Sequence, residues 1–381
     1  MKKVFAIVMA AMMLMAMFAG CQDTADSGSN VIKIGTSGPL QGDYAVYGVA
    51  VKNGLELAFD EINALGGLQF EVNGQDDEAD TEKAVNAYNT LMDWGMQIMA
   101  GPTTSGSAAA AAAECAKDNV FMLTPSASDP AVLEAGVNVY QICYSDTNQG
   151  KASAQYIFDH NMATKVGVIY DSSSPYSAGI YATFKAEAEK LGLQIVVEAP
   201  FTEATKGDLT TQVTKCQQAG CDLVFLPIYT AEAAKVLSVA DANGFEPKFF
   251  GCDGLDGILN VKDFDTSLAE GVMLLTPFDA TSSDPKTQAF VKAYTEKYGV
   301  TPNQFAADAY DVAYAIYAAC KAGGVTADMS AAEINEIMMA QFAKMSFDGI
   351  TGMGMTWGAD GAVSKDPMAV VIKDGVYVGV E

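Results

Sequence analysis

The chain has 381 residues, half of them apolar, and a formal charge of −25; every one of its 22 basic side chains is a lysine. Such a length exceeds one ordinary core and predicts two domains, and the apolar half is enough to fold both. The acidity excludes a nucleic-acid-binding surface and repels anionic membrane, because both partners carry the same sign of charge.

The first residues read as a targeting segment. Lys2 and Lys3 precede an apolar run from Val4 to Ala19, then Gly20-Cys21, then a polar stretch from Gln22 to Asn30. This is the build of a secretory signal, and the run is short for a membrane span. A small residue before a cysteine at its end resembles the lipobox of bacterial lipoproteins. That resemblance implies cleavage before Cys21 and acylation there, although Phe18 stands where leucine is usual. Residues 1–20 are then signal peptide and 21–30 a lipidated, flexible tether.

From Val31 the chain alternates strand and helix. Val31-Ile32-Lys33-Ile34 reads as a strand and Gly35 to Gly48 as a glycine-rich loop. A helix follows, with Val51, Leu55, Ala58, Ile62 and Leu65 on one face, until Gly66-Gly67 stops it. Leu68–Val72 is a strand, and Asp76–Asp80 is an acidic loop that caps a helix burying Ala84, Tyr88 and Leu91.

Ile98 to Pro130 is the most informative stretch. Ile98-Met99-Ala100 and Val120–Leu123 are apolar strands, and each is followed by hydroxyl-rich turn chemistry. The first loop is Gly101-Pro-Thr-Thr-Ser-Gly-Ser107, running into a helix over Ala108–Lys117. The second is Thr124-Pro-Ser-Ala-Ser-Asp-Pro130, with Asp129 as N-cap and Pro130 as the first helical residue. Both loops leave neighbouring strands at one sheet edge and meet helix N-termini, where unpaired N–H groups favour an anion. Without arginine, a carboxylate bound there must be held by hydroxyls and backbone N–H. Val139–Cys143 closes the first sheet.

A second βα series begins near Asp146. Helices are expected at Lys151–Asp159, Ala178–Leu191, Leu209–Ala219 and Ala231–Ala242, with strands at Val166–Tyr170, Ile195–Glu198, Leu223–Pro227 and Lys248–Phe250. Asp284–Ala343 is mostly helical, with helices over Thr287–Tyr298, Ala306–Ala322 and Ala331–Gln341. Terminal strands are expected near Met353–Trp357 and Met368–Lys373. The pattern is that of parallel, doubly wound α/β lobes.

The paired loops Gly101-Pro-Thr-Thr-Ser-Gly-Ser and Pro125-Ser-Ala-Ser-Asp-Pro resemble those of type I periplasmic binding proteins, in the Leu/Ile/Val-binding branch of ABC-transporter receptors. The likeness runs along nearly all of the chain after residue 30. It implies two Rossmann-like lobes joined by a three-segment hinge: lobe 1 from 31–145 plus 279–348, and lobe 2 from 146–278 plus 349–381. Crossings are placed near Tyr144–Thr147, Thr276–Ala280 and Phe347–Gly352. The ligand cleft is expected at the carboxyl ends of the strands.

The resemblance also assigns roles. Ser105 matches the residue that holds an amino-acid carboxylate, Ser126 a backbone contributor, and Ser128 a hydroxyl for both carboxylate and ammonium, where the family usually has threonine. Tyr176 and Tyr229 match second-lobe aromatics over the ligand, Asp253 the acidic partner of the ammonium, and Tyr47 an aromatic against the side chain. Taken alone, these tyrosines would read as core or surface rings, and Asp253 between glycines as a turn residue.

Other chemistries have little support. Cys115, Cys143, Cys216, Cys221, Cys252 and Cys320 form no CxxC pair, and His160 is the one histidine, so no metal site or cofactor is expected. Cys216 and Cys221 could bridge or stay reduced. Neither GxSxG nor GxGxxG occurs, so an enzyme such as a secreted hydrolase is the weaker reading. The resemblance implies a monomeric, non-enzymatic lipoprotein on the outer face of the cytoplasmic membrane. It would bind a branched-chain or related aliphatic amino acid and deliver it to the permease subunits of an ABC importer; an amide, urea or aromatic acid is the alternative ligand on the same fold.

Overall fold

A computed structural model describes residues 30–380. Residues 1–29, on which the expected signal peptide, the Cys21 lipidation site and most of the expected tether fall, lie outside the described residues. The rest of the chain builds two α/β lobes.

In the first lobe, five parallel strands stand in the order β2-β1-β3-β4-β5. They are β1 Ile32–Gly38, β2 Phe70–Asp76, β3 Ile98–Met99, β4 Phe121–Thr124 and β5 Val139–Gln141. Helix α1, Ala45–Ala64, buries Val51, Leu55, Ala58 and Ile62; Leu65 falls at its C-cap and is exposed instead. Helix α2, Thr81–Trp94, starts where the Asp80 carboxylate accepts from Glu82 N and Lys83 N at 2.9 Å, and stops at left-handed Gly95. Helices α3, Ser105–Asp118, and α4, Pro130–Leu133, leave the two hydroxyl-rich loops.

The second sheet has the order β12-β11-β10-β9-β8-β6-β7. Strands β6 Val166–Asp171, β7 Ile195–Phe201, β8 Leu223–Leu226, β9 Lys248–Gly251 and β10 Met273–Thr276 are parallel; β11 Met368–Lys373 and β12 Val376–Gly379 add an antiparallel edge hairpin. Its helices are α5 Asp146–Asp159, α6 Pro175–Leu191, α7 Thr210–Ala219 and α8 Thr230–Ala242. Two of them begin earlier than periodicity predicts, because Ser145 and Ser174 cap them with side-chain oxygens. Strands β10 and β12 have no counterpart in the sequence reading.

Helices α9 Pro285–Tyr298, α10 Gln304–Gly323 and α11 Ala331–Phe342 return to the first lobe, where Phe290, Phe305, Ile316, Met338 and Phe342 join its core. The chain does not leave that lobe at Phe347–Gly352. Met355 and Trp357 lie in the same core, Trp357 Nε1 donates to Gln141 O at 2.9 Å, and Phe347 and Trp357 make only isolated bridges to Met355 and Val363. The chain enters the second sheet at Met368. Residues 349–363 therefore pack on the first lobe, and Met353–Trp357 is not a strand.

Among the described residues, Cys216 and Cys221 are free and buried, like the other four cysteines. No described helix is long and apolar enough to cross a membrane.

Candidate functional site

The carboxyl ends of both sheets face each other across a narrow cleft lined by Tyr47, Thr103, Thr104, Ser105, Ser126 and Phe305 from the first lobe and Tyr176, Tyr229, Asp253 and Gly254 from the second. The structure thus brings Tyr47, Ser105, Ser126, Tyr176, Tyr229 and Asp253 together. Ser128 is not among the lining residues. It is buried behind them, its N–H directed at Ser105 Oγ (3.3 Å) and its carbonyl accepting from Asp146 N (3.0 Å).

One end of the cavity is a hydroxyl and N–H surface. Ser105 is the first residue of α3, and its Oγ is approached by the N–H groups of Ser128 and Asp129 at 3.3 and 3.4 Å. With its oxygen accepting from two backbone donors, its own O–H is the group left to donate. Thr104, the N-cap, makes no side-chain cap, and its buried Oγ1 has no partner among the described residues. Ser126 spends its hydroxyl on Thr103 O at 2.7 Å, so its side chain is not a free donor. A helix N-terminus without a capping acceptor beside unspent hydroxyls suits an anion.

The opposite end carries one carboxylate. Asp253 follows β9 and is fully buried; Tyr176 donates to its Oδ1 at 2.7 Å, and its N–H donates to Gln149 Oε1 at 3.1 Å. Burial pushes its carboxyl up to about 7, against the pull of the Tyr176 hydroxyl and of the Gln149 contact. A cation brought to this carboxylate would restore the charged form. Gly254 must be glycine, since a Cβ there would crowd the Tyr176 hydroxyl and lie 2.9 Å from Ile228 O.

Aromatic rings form the walls. Tyr176 stacks on Tyr229 with centroids 4.9 Å apart and planes 6° apart; Tyr229 also meets Tyr47 at 5.1 Å, and Tyr47 meets Phe305 edge-on at 4.9 Å. The lining therefore combines hydroxyl and N–H donors from the first lobe, one carboxylate from the second and aromatic rings from both.

A family model described as periplasmic binding protein matches residues 31–375. The chain belongs to the periplasmic binding protein family. Its relatives include the Leu/Ile/Val-binding protein homolog 3 of Brucella melitensis, 29% identical over 92% of this chain and 94% of the relative. The leucine-, isoleucine-, valine-, threonine- and alanine-binding protein of Pseudomonas aeruginosa is 28% identical over 75% of this chain and 76% of that protein. Among solved structures, the branched-chain amino acid transporter substrate-binding protein LivJ of Streptococcus pneumoniae, in complex with isoleucine, superposes with a TM-score of 0.82. It is 29% identical and is covered over 92% of this chain and all of that one. This periplasmic binding protein therefore has the two-lobed type I fold, and its family is one of binding proteins rather than enzymes.

Thr103, Thr104, Gly254 and Phe305 line the cavity without having been singled out from sequence. The two threonines were visible as part of the hydroxyl-rich loop. Gly254 stood next to a nominated residue. Phe305 carried no signal that separates it from an ordinary core phenylalanine.

Proposed function

We propose that the protein is the extracytoplasmic substrate-binding lipoprotein of an ABC importer and that its ligand is a free aliphatic α-amino acid of the branched-chain class. The observation that carries the reading is the make-up of one cleft: the unspent donors of Thr104, Ser105 and the α3 N-terminus and the Asp253 carboxylate all line it. A zwitterion satisfies both ends, with its side chain against Tyr47, Tyr229 and Phe305. The names of the relatives support the amino-acid class. An aromatic acid without an amine would leave Asp253 buried opposite an apolar ring, so the carboxylate argues against that alternative.

The first lobe would hold the carboxylate while the cleft is open. Closure would then add Tyr176, Tyr229 and Asp253, so that the ligand stabilises the closed form through contacts made only there. The permease would take the closed form, and the lipid on Cys21 would keep the protein at the outer face of the membrane. Calorimetric titration of refolded, ligand-free protein with the twenty amino acids and with their deaminated analogues tests the reading. Binding of L-leucine, L-isoleucine or L-valine without binding of 4-methylpentanoate is the expected result; tight binding of the deaminated acids would overturn it.

The anchor has its own test. Cys21→Ser should release the protein from the membrane fraction or leave its signal uncleaved. Normal processing with unchanged membrane retention would remove the lipoprotein assignment.

A further inference from the structure

Outside the ligand ends of the cavity, the first turn of α1 reaches across to the second lobe. Tyr44 and Tyr47 are three residues apart, which on a helix start puts both rings on one side. That side faces the N-terminus of α8. The N-cap of α8, Tyr229, makes no side-chain cap of its own. Instead, the Tyr47 hydroxyl accepts from Thr230 N at 2.8 Å and donates to Gly254 O at 2.6 Å, with Thr230 Oγ1 at 3.2 Å. A lobe 1 side chain thus caps a lobe 2 helix. Within the same first turn of α8, the Tyr44 hydroxyl donates to Glu232 Oε1 at 3.2 Å and accepts from Lys206 Nζ at 2.9 Å. Lys206 also lies over the Tyr44 ring, 4.8 Å from its centroid, and pairs with Glu203 at 2.8 Å.

These contacts share three properties. Apart from the Lys206–Glu203 pair, which lies within the second lobe, each joins one lobe to the other. Each ties up a group that an open cleft would leave to water: the first N–H of α8, the Gly254 carbonyl and the Glu232 carboxylate. And Tyr44, Lys206 and Glu232 are not cavity-lining residues. Their energy therefore belongs to the closed form whatever the ligand's side chain is.

We infer that Tyr44 and Tyr47 form a clasp that holds the lobes closed independently of ligand chemistry, and that they set affinity and ligand residence time for every substrate alike. In this account Tyr47 is a positioning residue through its hydroxyl, in addition to the ring it presents to the cavity. A clasp of this kind raises the closed population before any ligand arrives, and a ligand's apparent affinity rises in proportion to that population.

The inference rests on the cleft being the ligand site, and the experiment separates the two. Tyr47→Phe keeps the ring but strands Thr230 N and Gly254 O in the closed form. Tyr44→Phe and Lys206→Ala loosen the outer contacts without touching the cavity. With L-leucine and L-valine as probes, Tyr47→Phe should weaken both by about tenfold to a hundredfold, and the outer variants by about three- to tenfold. The loss should appear in the dissociation rate, and the leucine-to-valine affinity ratio should stay within about twofold of wild type. Spin labels at Leu65→Cys and Val196→Cys, both exposed and one on each lobe, read closure directly. The short-distance population of ligand-free protein should fall in Tyr47→Phe and in Tyr44→Phe, while the unliganded melting midpoint stays unchanged. A wild type that binds no amino acid defeats the proposed ligand but leaves the label experiment to decide the clasp. Label distances that do not move in either tyrosine variant overturn the clasp, as does a changed leucine-to-valine ratio with unchanged dissociation rates.

Discussion

Asp253→Asn should nearly abolish binding of a free amino acid. The buried carboxylate borders a narrow cleft whose other lining is hydroxyl-bearing and aromatic, and no other lining residue carries a charge. An ammonium placed there has Asp253 as its counter-ion, and removing one member of such a buried pair commonly costs about 3–5 kcal/mol, because the other charge is left alone. The corresponding loss is roughly a hundredfold to several-thousandfold in Kd. The unliganded melting midpoint should move little or even rise, since burial already holds the Asp253 carboxyl up at about 7 and the neutral amide removes that penalty. Calorimetric titration of the variant with L-leucine checks the first part and a thermal scan without ligand checks the second. Binding within threefold of wild type would mean that Asp253 does not face an ammonium.

The fold was readable because each βα unit carries its own punctuation. Asp80, Asp129 and Asp284 all cap helices through their carboxylates, and Gly95, Gly192 and Gly220 end helices in the left-handed conformation. Residue types at such positions are dictated locally, so a single sequence suffices to place them. Strands β10 and β12 escaped for the opposite reason: a four-residue run such as Met273–Thr276 has no periodicity of its own and is a strand only because β9 and β11 flank it. The late return to the second sheet was hidden in the same way. Met353–Trp357 reads as a strand, but Trp357 is fixed in the first lobe by the Phe342 ring at 4.7 Å and by the carbonyl of Gln141, 216 residues away in sequence.

The site divides along the same line. One end was legible as chemistry, hydroxyls before helix N-termini; Asp253 at the other read locally as a turn residue and took its role from the resemblance. Their facing one another was implied by resemblance, because nothing in a linear chain says that residues 105 and 253 share a cavity. Ser128 shows the limit most clearly. Its residue type matches a ligand hydroxyl, while the structure shows a backbone role that the sequence did not signal: its N–H is directed at Ser105 Oγ and its carbonyl accepts from Asp146 N. Only the path of the loop decides which neighbour a serine serves.

The energetics of the crossing region give the second large effect. Lys365 and Asp308 form a fully buried ion pair, with Nζ 2.5 Å from Oδ1, and Lys365 also donates to Thr351 Oγ1 at 2.7 Å. Thr351 in turn donates to Asp311, which accepts from Ile350 N and Thr351 N at 2.9 Å. One lysine thus ties α10 to the chain on its way to the second sheet. Burial pushes the Asp308 carboxyl up to about 6 even with that lysine pulling it down. Lys365→Met should therefore cost about 3–5 kcal/mol of stability at pH 8, where Asp308 would be ionised and alone. The pH dependence follows from the sign of the shift. A carboxyl raised above its unfolded value near 4 binds more protons in the folded state, so stability from this site falls as pH rises through the folded pKa. Without Lys365 the folded pKa moves higher still. At pH 5 Asp308 is then neutral in the variant, and the gap to wild type should narrow to about half or less of its value at pH 8. Adding Asp308→Asn to Lys365→Met should recover much of the loss at pH 8, because no buried charge remains to be paired. Urea unfolding of the unliganded proteins at the two pH values measures all three. An equal loss at pH 8 and pH 5 would show that Lys365 acts through packing of its stem rather than through its charge.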